Sequence, residues 1–369
     1  MDKKQDKNPF AGETVPSMKR RSNGHDYTEQ CFYMVTLAVE GRQPLLGSVV
    51  GRADAAEGTA DAPRVELSPL GLAVCKEWSG ISGYYPQVAV IAQQVMPDHF
   101  HGILYFREKS SLHLGHVIRG FKAGCNRAYR ALVATESQHT REGTAVSPSC
   151  APSSCALSPT AAPSSYAPSP PAAPSSYAAT PSQQKRGLLW EKGYNDRILH
   201  NYSTLEKWKA YLHDNPRRLL VKREHPDLFR VQRNIEYAGI TFSAIGNRFL
   251  LDRPLKVQVQ CSRSITPVAL SHKIQEMLAL GAKGAVFVSP CISKGEQAVM
   301  HEVFAAGFPV VYLEENGFTD LAKPGGKRFD ACARGQMLIL APWEHHNGRI
   351  PITRDKCLML NEMARRICE

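Results

Sequence analysis

Residues 96–101 read Met-Pro-Asp-His-Phe-His, and this stretch decides how the first half of the chain is expected to fold. The apolar runs on either side, 88–95 (VAVIAQQV) and 101–106 (HGILYF), are typical of β-strands, so residues 96–98 should form a sharp connection between them. Alternate residues of a strand face the same side, so His99 and His101 are expected to present two imidazoles together. Such a pair suits a divalent metal, although an arbitrary His-x-His is more often two surface histidines.

A second group of polar residues lies further along the chain. Residues 203–213 (STLEKWKAYLH) are predicted to form a helix, with Ser203 or Thr204 as its N-cap and an end at Asn215-Pro216. Tyr211 and Asn215 are four residues apart and therefore share one helical face. Tyr211 could attack a phosphodiester, and the amide oxygen of Asn215 could be a third metal ligand.

The choice of Tyr211 leaves alternatives open. It could be a helix-end aromatic packed beneath the sheet, and Tyr194 and Tyr202 are rival nucleophiles by position. The carboxylate of Asp98, beside the histidines, could strengthen metal binding or merely repel phosphate.

Basic residues follow both motifs. Residues 31–39 predict a strand and 70–78 a helix, and residues 114–133 predict a helix with a basic face. The candidate DNA contacts on that face and near the nucleophile are Arg119, Lys122, Arg127, Arg130, Arg197, Arg217 and Arg218. They would bind phosphates and position a strand without reading its sequence. For each of them the alternative is a solvated surface.

Two segments differ in composition from the rest. Residues 1–25 are polar and basic and predict a flexible arm. Residues 134–184 are rich in Ala, Pro and Ser, and the stretch 151–183 consists of three consecutive near-copies. Such a segment buries too little apolar surface to offset its ordering entropy, so it is predicted to be a disordered insertion.

The last third alternates apolar strands with helices, which predicts a separate α/β domain with a parallel sheet. The predicted strands are 255–261, 285–289, 309–313 and 337–341, and the predicted helices are 266–280, 295–306 and 356–367. Ser289, Ser293 and the amides around Gly295 are a candidate phosphate loop at a helix start. A scaffold with an ordinary tight loop is an equally good interpretation.

Composition adds constraints on partner and compartment. The formal net charge of +11 favours an acidic partner such as nucleic acid. The 10 cysteines are scattered without a CxxC pair, as in cytosolic proteins with reduced thiols. The N-terminus is polar and no apolar run is long enough to span a membrane, so a soluble, cytoplasmic, nucleoid-associated protein without a membrane partner is expected.

Five motifs together resemble a known family, the HUH single-tyrosine transposases of the REP-associated, insertion-sequence type. They are HDYTEQCFYMVTL (25–37), VMPDHFHGILYF (95–106), IRGFKAGCNRAY (118–129), LLWEKGYNDRIL (188–199) and YLHDNPRR (211–218), within the matching regions 25–133 and 187–230. The resemblance implies a ferredoxin-like α+β core whose antiparallel sheet carries both histidines, with the tyrosine on a C-terminal helix. It also implies a homodimer, Mg²⁺ or Mn²⁺, and single-stranded DNA ends next to a hairpin.

The sequence therefore predicts a ferredoxin-like HUH domain at 26–240, interrupted by the insertion 134–184, and a Rossmann-like α/β domain with a parallel sheet at 250–369. The second domain vaguely resembles those of DNA-processing, single-strand-binding proteins. The predicted activity is metal-dependent DNA cleavage and strand transfer through a covalent 5′-phosphotyrosine. The alternatives are a catalytically inactive hairpin-binding protein, and a nucleotide-processing C-terminal domain that the N-terminal domain targets to DNA.

Overall fold

The computed structural model describes residue 22 and residues 24–142, 188–348 and 350–369, with backbone only for 136–142. Most of the predicted arm and the repeats at 151–183 lie outside the described residues. The chain divides into two compact units, with the boundary between Leu220 and Val221. The predicted domain limits, 26–240 and 250–369, stay predictions.

The first unit contains six strands and four helices within the described residues. The strands are β1 (Phe32–Ala38), β2 (Gly47–Val50), β3 (Arg64–Leu67), β4 (Val88–Met96), β5 (His99–Phe106) and β6 (Asn195–Leu199), and the helices are α1 (Pro69–Ser79), α2 (Ile81–Tyr84), α3 (Leu114–Glu142) and α4 (Tyr202–Glu224). The helix predicted to end at Val133 continues to Glu142, nine residues into the segment predicted to be disordered.

Four strands form an antiparallel sheet in the order β4-β5-β1-β6, while β2 and β3 form a separate hairpin. Strand β5 follows β4 after Pro97-Asp98, so the predicted sharp connection is present. Alternation along β5 sends Phe100 and Leu104 into the core that includes α1 and α3, and Ile103 into the cluster that includes α4.

The core on the α1–α3 face requires a glycine in β5. A Cβ built on Gly102 would lie 2.1 Å from Cζ2 of Trp78, so no larger residue fits there without displacing the indole. Trp78 packs at ring-centroid distances of 4.8 Å from Phe100 and 5.0 Å from Phe121. This face of the sheet is therefore closed by tight aromatic packing.

Helix α4 departs from the prediction at both ends. Its N-cap is Asn201, whose side-chain oxygen accepts from the Thr204 amide at 2.8 Å, so neither Ser203 nor Thr204 is the cap. Pro216 does not end the helix, which continues to Glu224. A proline inside a helix costs roughly 3 kcal/mol; burial of Leu212 and Val221 on either side offsets part of that cost.

The second unit also has six strands and four helices in the part described. They are β7 (Gln232–Tyr237), β8 (Ile240–Gly246), β9 (Lys256–Gln258), β10 (Val286–Ser289), β11 (Val310–Leu313) and β12 (Met337–Ala341), with α5 (Pro267–Ala282), α6 (Lys294–Ala305), α7 (Lys327–Ala333) and α8 (Arg354–Cys368). Each predicted strand and helix of this region is present, with bounds that differ by a few residues.

The sheet of the second unit is mixed, in the order β7-β8-β12-β11-β10-β9. Strands β9 to β12 are parallel as predicted, whereas β8 pairs with β12 antiparallel and was not predicted. Leu360, Ala364 and Ile367 of α8 enter the core on one face of the sheet. The described residues thus form a mixed α+β protein, with a four-stranded and a two-stranded antiparallel sheet and one sheet that contains parallel strands. In the described residues, no helix is long and apolar enough to cross a membrane.

Candidate active site

The histidine pair lies on the face of the first sheet that α4 covers. His99 and His101 are alternate residues of β5, with ring centroids 4.8 Å apart. The neighbouring strand β1 places Thr36 directly opposite His101. The predicted juxtaposition of the two imidazoles is therefore present, and it faces a helix rather than open solvent.

His101 is held in place by a threonine. Its Nδ1 lies 2.8 Å from the Thr36 hydroxyl, which leaves Nε2 as the ring nitrogen directed elsewhere. The residue is 7% exposed. Burial, together with the nearby charges of His99 and Arg42, lowers the pKa of His101 to about 3. The imidazole is consequently neutral near pH 7, the form that a metal requires.

His99 is held by the adjacent carboxylate. Its Nδ1 lies 2.6 Å from Oδ1 of Asp98, and Oδ2 of Asp98 lies 3.6 Å from the Arg42 guanidinium. Burial raises the pKa of the Asp98 carboxyl, but the hydrogen bond from His99 and the charges of His99 and Arg42 hold it below its usual range. Asp98 is thus an ionised partner of His99, and Arg42 offsets its charge.

Tyr211, on α4, packs beside His101 on this face of the sheet. Its ring centroid lies 6.3 Å from that of His101 and 5.2 Å from Trp208, and the Arg218 guanidinium carbon lies 5.5 Å from the ring centroid. The side chain is half-buried. The predicted nucleophile and the predicted metal ligands are therefore neighbours.

The rival tyrosines are placed differently. Tyr194 is buried in the core, and it also lines the cavity that includes Thr36. Tyr202, at the start of α4, is 73% exposed and packs edge-on against Phe32, with the ring centroids 5.6 Å apart. The ring contact with His101 favours Tyr211 over both.

Asn215 follows Tyr211 by one helical turn and is buried, with 8% exposure. Its Nδ2 is buried and has no hydrogen-bond partner among the described residues. Because the two ends of an amide exchange by rotation, this atom marks an unfilled polar contact of the side chain. No group of three His, Cys, Asp or Glu residues that could hold a metal occurs within the described ranges.

The predicted basic residues fall into two sets. Arg197 is on β6, with its guanidinium 4.9 Å from the Trp208 ring, and Arg217 and Arg218 are on α4, both paired with Asp214. The second set lies on α3, over the opposite face, where the exposed members are Arg119, Arg127 and Arg130. The structure thus places Arg197 and Arg218 beside Trp208 and Tyr211 and leaves the second set on the far side of the sheet.

Lys122, also predicted to bind DNA, is engaged within the protein. Its ammonium donates to the carbonyl oxygens of Glu191 at 2.7 Å and Gly193 at 2.5 Å. Burial lowers the pKa of Lys122 to about 8. These contacts fasten the WEKGY segment to α3.

Thr36 and Arg42 are site residues that the sequence did not indicate. Thr36 shares its strand face with Phe32 and Met34, but its pairing with His101 depends on the register between β1 and β5. Arg42 lies in a loop with a positive φ of 55°. With Glu191 and Asn195, both residues line a cavity of about 210 Å³.

In the second unit, a side chain of the protein itself occupies the candidate phosphate loop. Ser293 caps α6, and Oε2 of the buried Glu296 accepts from the amides of Ile292 at 2.7 Å and Ser293 at 3.2 Å. The Ser289 hydroxyl accepts from the Cys291 amide. A Cβ on Gly295 would lie 2.9 Å from Cβ of Cys261, so this glycine serves close packing. The carboxylate of Glu296 stands where a phosphate was expected.

Comparison with known proteins gave several distant likenesses, and no family model matches the chain. An uncharacterized protein of Haemophilus influenzae is 24% identical over 124 residues, which cover 28% of this chain and 63% of that protein. The match thus spans less than two thirds of the relative's length.

Three solved structures are similar in part. DNA processing protein A from Helicobacter pylori, described for its single-stranded DNA binding mode, is 21% identical over 38% of this chain and 66% of that chain, with a TM-score of 0.29. A REP-associated tyrosine transposase bound to a REP hairpin is 11% identical over 53% and 73%, with a TM-score of 0.28. A candidate transposase from Deinococcus radiodurans R1 is 14% identical over 53% and 96%, with a TM-score of 0.24. All three TM-scores are low, so function is argued from the side chains.

Proposed function

We propose that the chain is a metal-dependent nuclease and strand transferase of the HUH single-tyrosine type, acting on single-stranded DNA next to hairpins. The observation that carries the proposal is the position of Tyr211, 6.3 Å between ring centroids from a neutral, buried His101. A binding protein has no need of a tyrosine beside two oriented imidazoles. The β-α-β-β-α-β order and the antiparallel sheet β4-β5-β1-β6 support a ferredoxin-like fold for this unit.

The proposed reaction is an in-line displacement at phosphorus. The Tyr211 oxygen forms a bond to phosphorus while the bond to the 3′ oxygen of the preceding nucleotide breaks. The departing 3′ hydroxyl takes up a proton, and the phenolic proton passes to solvent or a nearby base. The 5′ phosphate then remains on Tyr211 until a second 3′ hydroxyl attacks it and restores the tyrosine. The Arg218 guanidinium, 5.5 Å from the ring, stabilises negative charge that develops there.

Three side chains would hold Mg²⁺ or Mn²⁺. Thr36 and Asp98 engage the Nδ1 atoms of His101 and His99, so both Nε2 atoms are left for a metal. The unfilled amide of Asn215 supplies an oxygen by rotation. When bound by these side chains, such an ion would supply Lewis-acid polarisation of the scissile phosphate.

The DNA strand would follow the cations on the histidine face. Arg197 and Arg218 lie beside Trp208 and Tyr211, whose rings also offer a surface on which a base can stack. Arg119, Arg127 and Arg130 would bind a more distant part of a hairpin through its phosphates. A homodimer is part of the proposal, to be checked by light scattering.

The test is covalent capture of labelled DNA. The full chain is incubated with 5′- and 3′-labelled single-stranded hairpin oligonucleotides and Mg²⁺ or Mn²⁺, and the products are separated on denaturing gels. We expect an adduct that carries the 3′-side fragment, requires metal and is absent in Tyr211→Phe.

One matched variant controls this experiment. Tyr202→Phe removes an equivalent hydroxyl from the same helix, and it should form the adduct normally. An adduct that persists in Tyr211→Phe would move the nucleophile to another residue. Metal-independent binding of many hairpins without any adduct would instead make the protein a hairpin-binding protein.

A further inference from the structure

The second unit contains a cavity of about 1100 Å³ that the proposed nuclease does not use. Gln260 and Cys261 on its wall follow the carboxyl end of β9, and Ile292 follows that of the adjacent parallel strand β10. Crevices at the carboxyl ends of parallel strands are where open α/β sheets bind ligands. The volume is ample for a nucleotide-sized molecule.

Three cations line this cavity. Arg263 follows β9, Lys294 begins α6 and Arg354 begins α8, and all three side chains are exposed. None of them has an ion-pair partner in the described part of the chain, unlike Arg328 and Lys356 of the same unit, which pair with Glu314 and Glu315. The lining also includes the carboxylate of Glu296, so three cations stand against one anion, and this excess of positive charge favours a ligand with several negative charges.

Three backbone amides near the start of α6 are already engaged. Glu296 accepts from the amides of Cys261, Ile292 and Ser293. These three amides are not available to an anion, whereas the cationic side chains of the lining are. Asn361 also lines the cavity, and its Oδ1 is buried without a hydrogen-bond partner, which leaves an acceptor for an amino or hydroxyl group.

The apolar wall indicates what accompanies the phosphates. Ile352 and Leu358 are 40% and 58% exposed and offer aliphatic surface to a base or sugar. The described lining holds no aromatic ring, whereas grooves for single strands stack successive bases on aromatic side chains. We infer that this cavity binds a free nucleoside polyphosphate, with the phosphates on Arg263, Lys294 and Arg354 and the base against Ile352 and Leu358.

The inference is tested by calorimetric titration of the full chain with ATP, GTP, inorganic triphosphate and single-stranded oligo-dT in turn. We expect at least one nucleotide to bind, with an affinity that falls about tenfold for each cation replaced in Arg263→Gln, Lys294→Gln and Arg354→Gln. Leu358→Asp should weaken the nucleotide more than the triphosphate. DNA cleavage assays play no part in this test, so it stands or falls separately from the proposed nuclease.

Lys283→Gln is the matched control, because it removes one exposed charge from the same unit at the other end of β10. It should leave nucleotide affinity unchanged, and thermal melting should show that all variants fold. Failure of both nucleotides to bind would overturn the inference. An equal loss of nucleotide affinity in Lys283→Gln would also overturn it. Binding of oligo-dT but of neither nucleotide, if the Arg263, Lys294 and Arg354 variants lose it, would mean that the cavity binds single-stranded DNA instead.

Discussion

The two faces of the first sheet are built from the same strands and differ in chemistry. The face under α1 and α3 carries Phe100 and Leu104 of β5, packed against Trp78. The face under α4 carries His99 and His101. Because neighbouring residues of one strand point to opposite sides, a single strand supplies both the most tightly packed core and the candidate chemistry.

The difference shows where stability and function are separated in this unit. The aromatic face has little room for change, since even a Cβ on Gly102 would collide with Trp78. On the histidine face, Asn215 keeps an unfilled buried polar atom, and Tyr211 remains half-buried. A half-buried tyrosine beside two imidazoles leaves the histidine face accessible to a ligand, whereas the aromatic face is closed by its packing.

The largest expected effect is a difference in the free energy of unfolding between two variants, one from each face of the sheet. Phe100→Ala should lower the free energy of unfolding by about 3–5 kcal/mol, because it leaves a cavity beneath Trp78. Tyr211→Phe should change it by less than about 0.5 kcal/mol, since only a partly exposed hydroxyl is lost. Urea unfolding of the two variants measures both values. Similar losses in the two would mean that the faces do not divide stability from function.

A second variant examines how the histidine face is organised. Thr36→Val keeps the size of the side chain but removes the hydroxyl at Nδ1 of His101, so the ring loses its orientation. We expect the affinity for Mn²⁺ to fall by roughly 10- to 100-fold, as measured by calorimetry. Thr241→Val, at an exposed strand position of the second unit, should not affect it. Unaltered Mn²⁺ affinity in Thr36→Val would remove Thr36 from the site.

Lys122, on helix α3, allows the stability of the aromatic face to be tested as a function of pH. Its pKa is about 8 in the folded chain and ordinarily 10.5, so between these values the unfolded chain holds the extra proton. The free energy of unfolding of the wild type, relative to Lys122→Met, should therefore rise with pH from about 8 to 10.5 and stay level below 8. Urea unfolding of both proteins at several pH values measures the difference. If the free energy of unfolding of the wild type relative to Lys122→Met fell with pH, the carbonyls of Glu191 and Gly193 would be keeping the ammonium charged.

The smallest effects concern the arginines of the two faces. Arg127→Gln, on the far side of the sheet, should weaken binding of a hairpin. It should also reduce, by about one, the slope of the logarithm of the binding constant against the logarithm of the salt concentration. Arg197→Gln, beside Trp208, should in addition slow adduct formation by DNA that is already bound. Filter binding over a salt series and single-turnover cleavage separate the two quantities. Equal cleavage rates in both variants would mean that Arg197 only binds.

Periodicity explains why most of the fold was predictable. The runs 88–95 and 101–106 are apolar, and so are the runs 285–289, 309–313 and 337–341 of the second unit. The hairpin β7–β8 was missed because its turn, Ala238-Gly239, is a weak hairpin signal. Both turn residues have positive φ, 49° and 66°, which suits the two-residue turn observed.

The candidate site residues could be predicted where they belong to one strand or helix, but not where their contact depends on the pairing of two elements. The spacing of His99 and His101 and of Tyr211 and Asn215 follows from strand and helix geometry. Thr36 could not be identified, because its place opposite His101 depends on strand register. Likewise, the continuation of α4 through Pro216 depends on tertiary burial that overrides a local rule.

The buried carboxylate at the start of α6 also constrains how this sequence can change. Loss of Glu296 would leave the amides of Cys261, Ile292 and Ser293 without their acceptor, so most replacements there should be eliminated by selection. A replacement by glycine in the presence of abundant phosphate is a different case, because the exposed donors would find an anion from solution. A single substitution could thus turn this segment into a phosphate loop, and the side chain of Glu296 prevents this by occupying the amides.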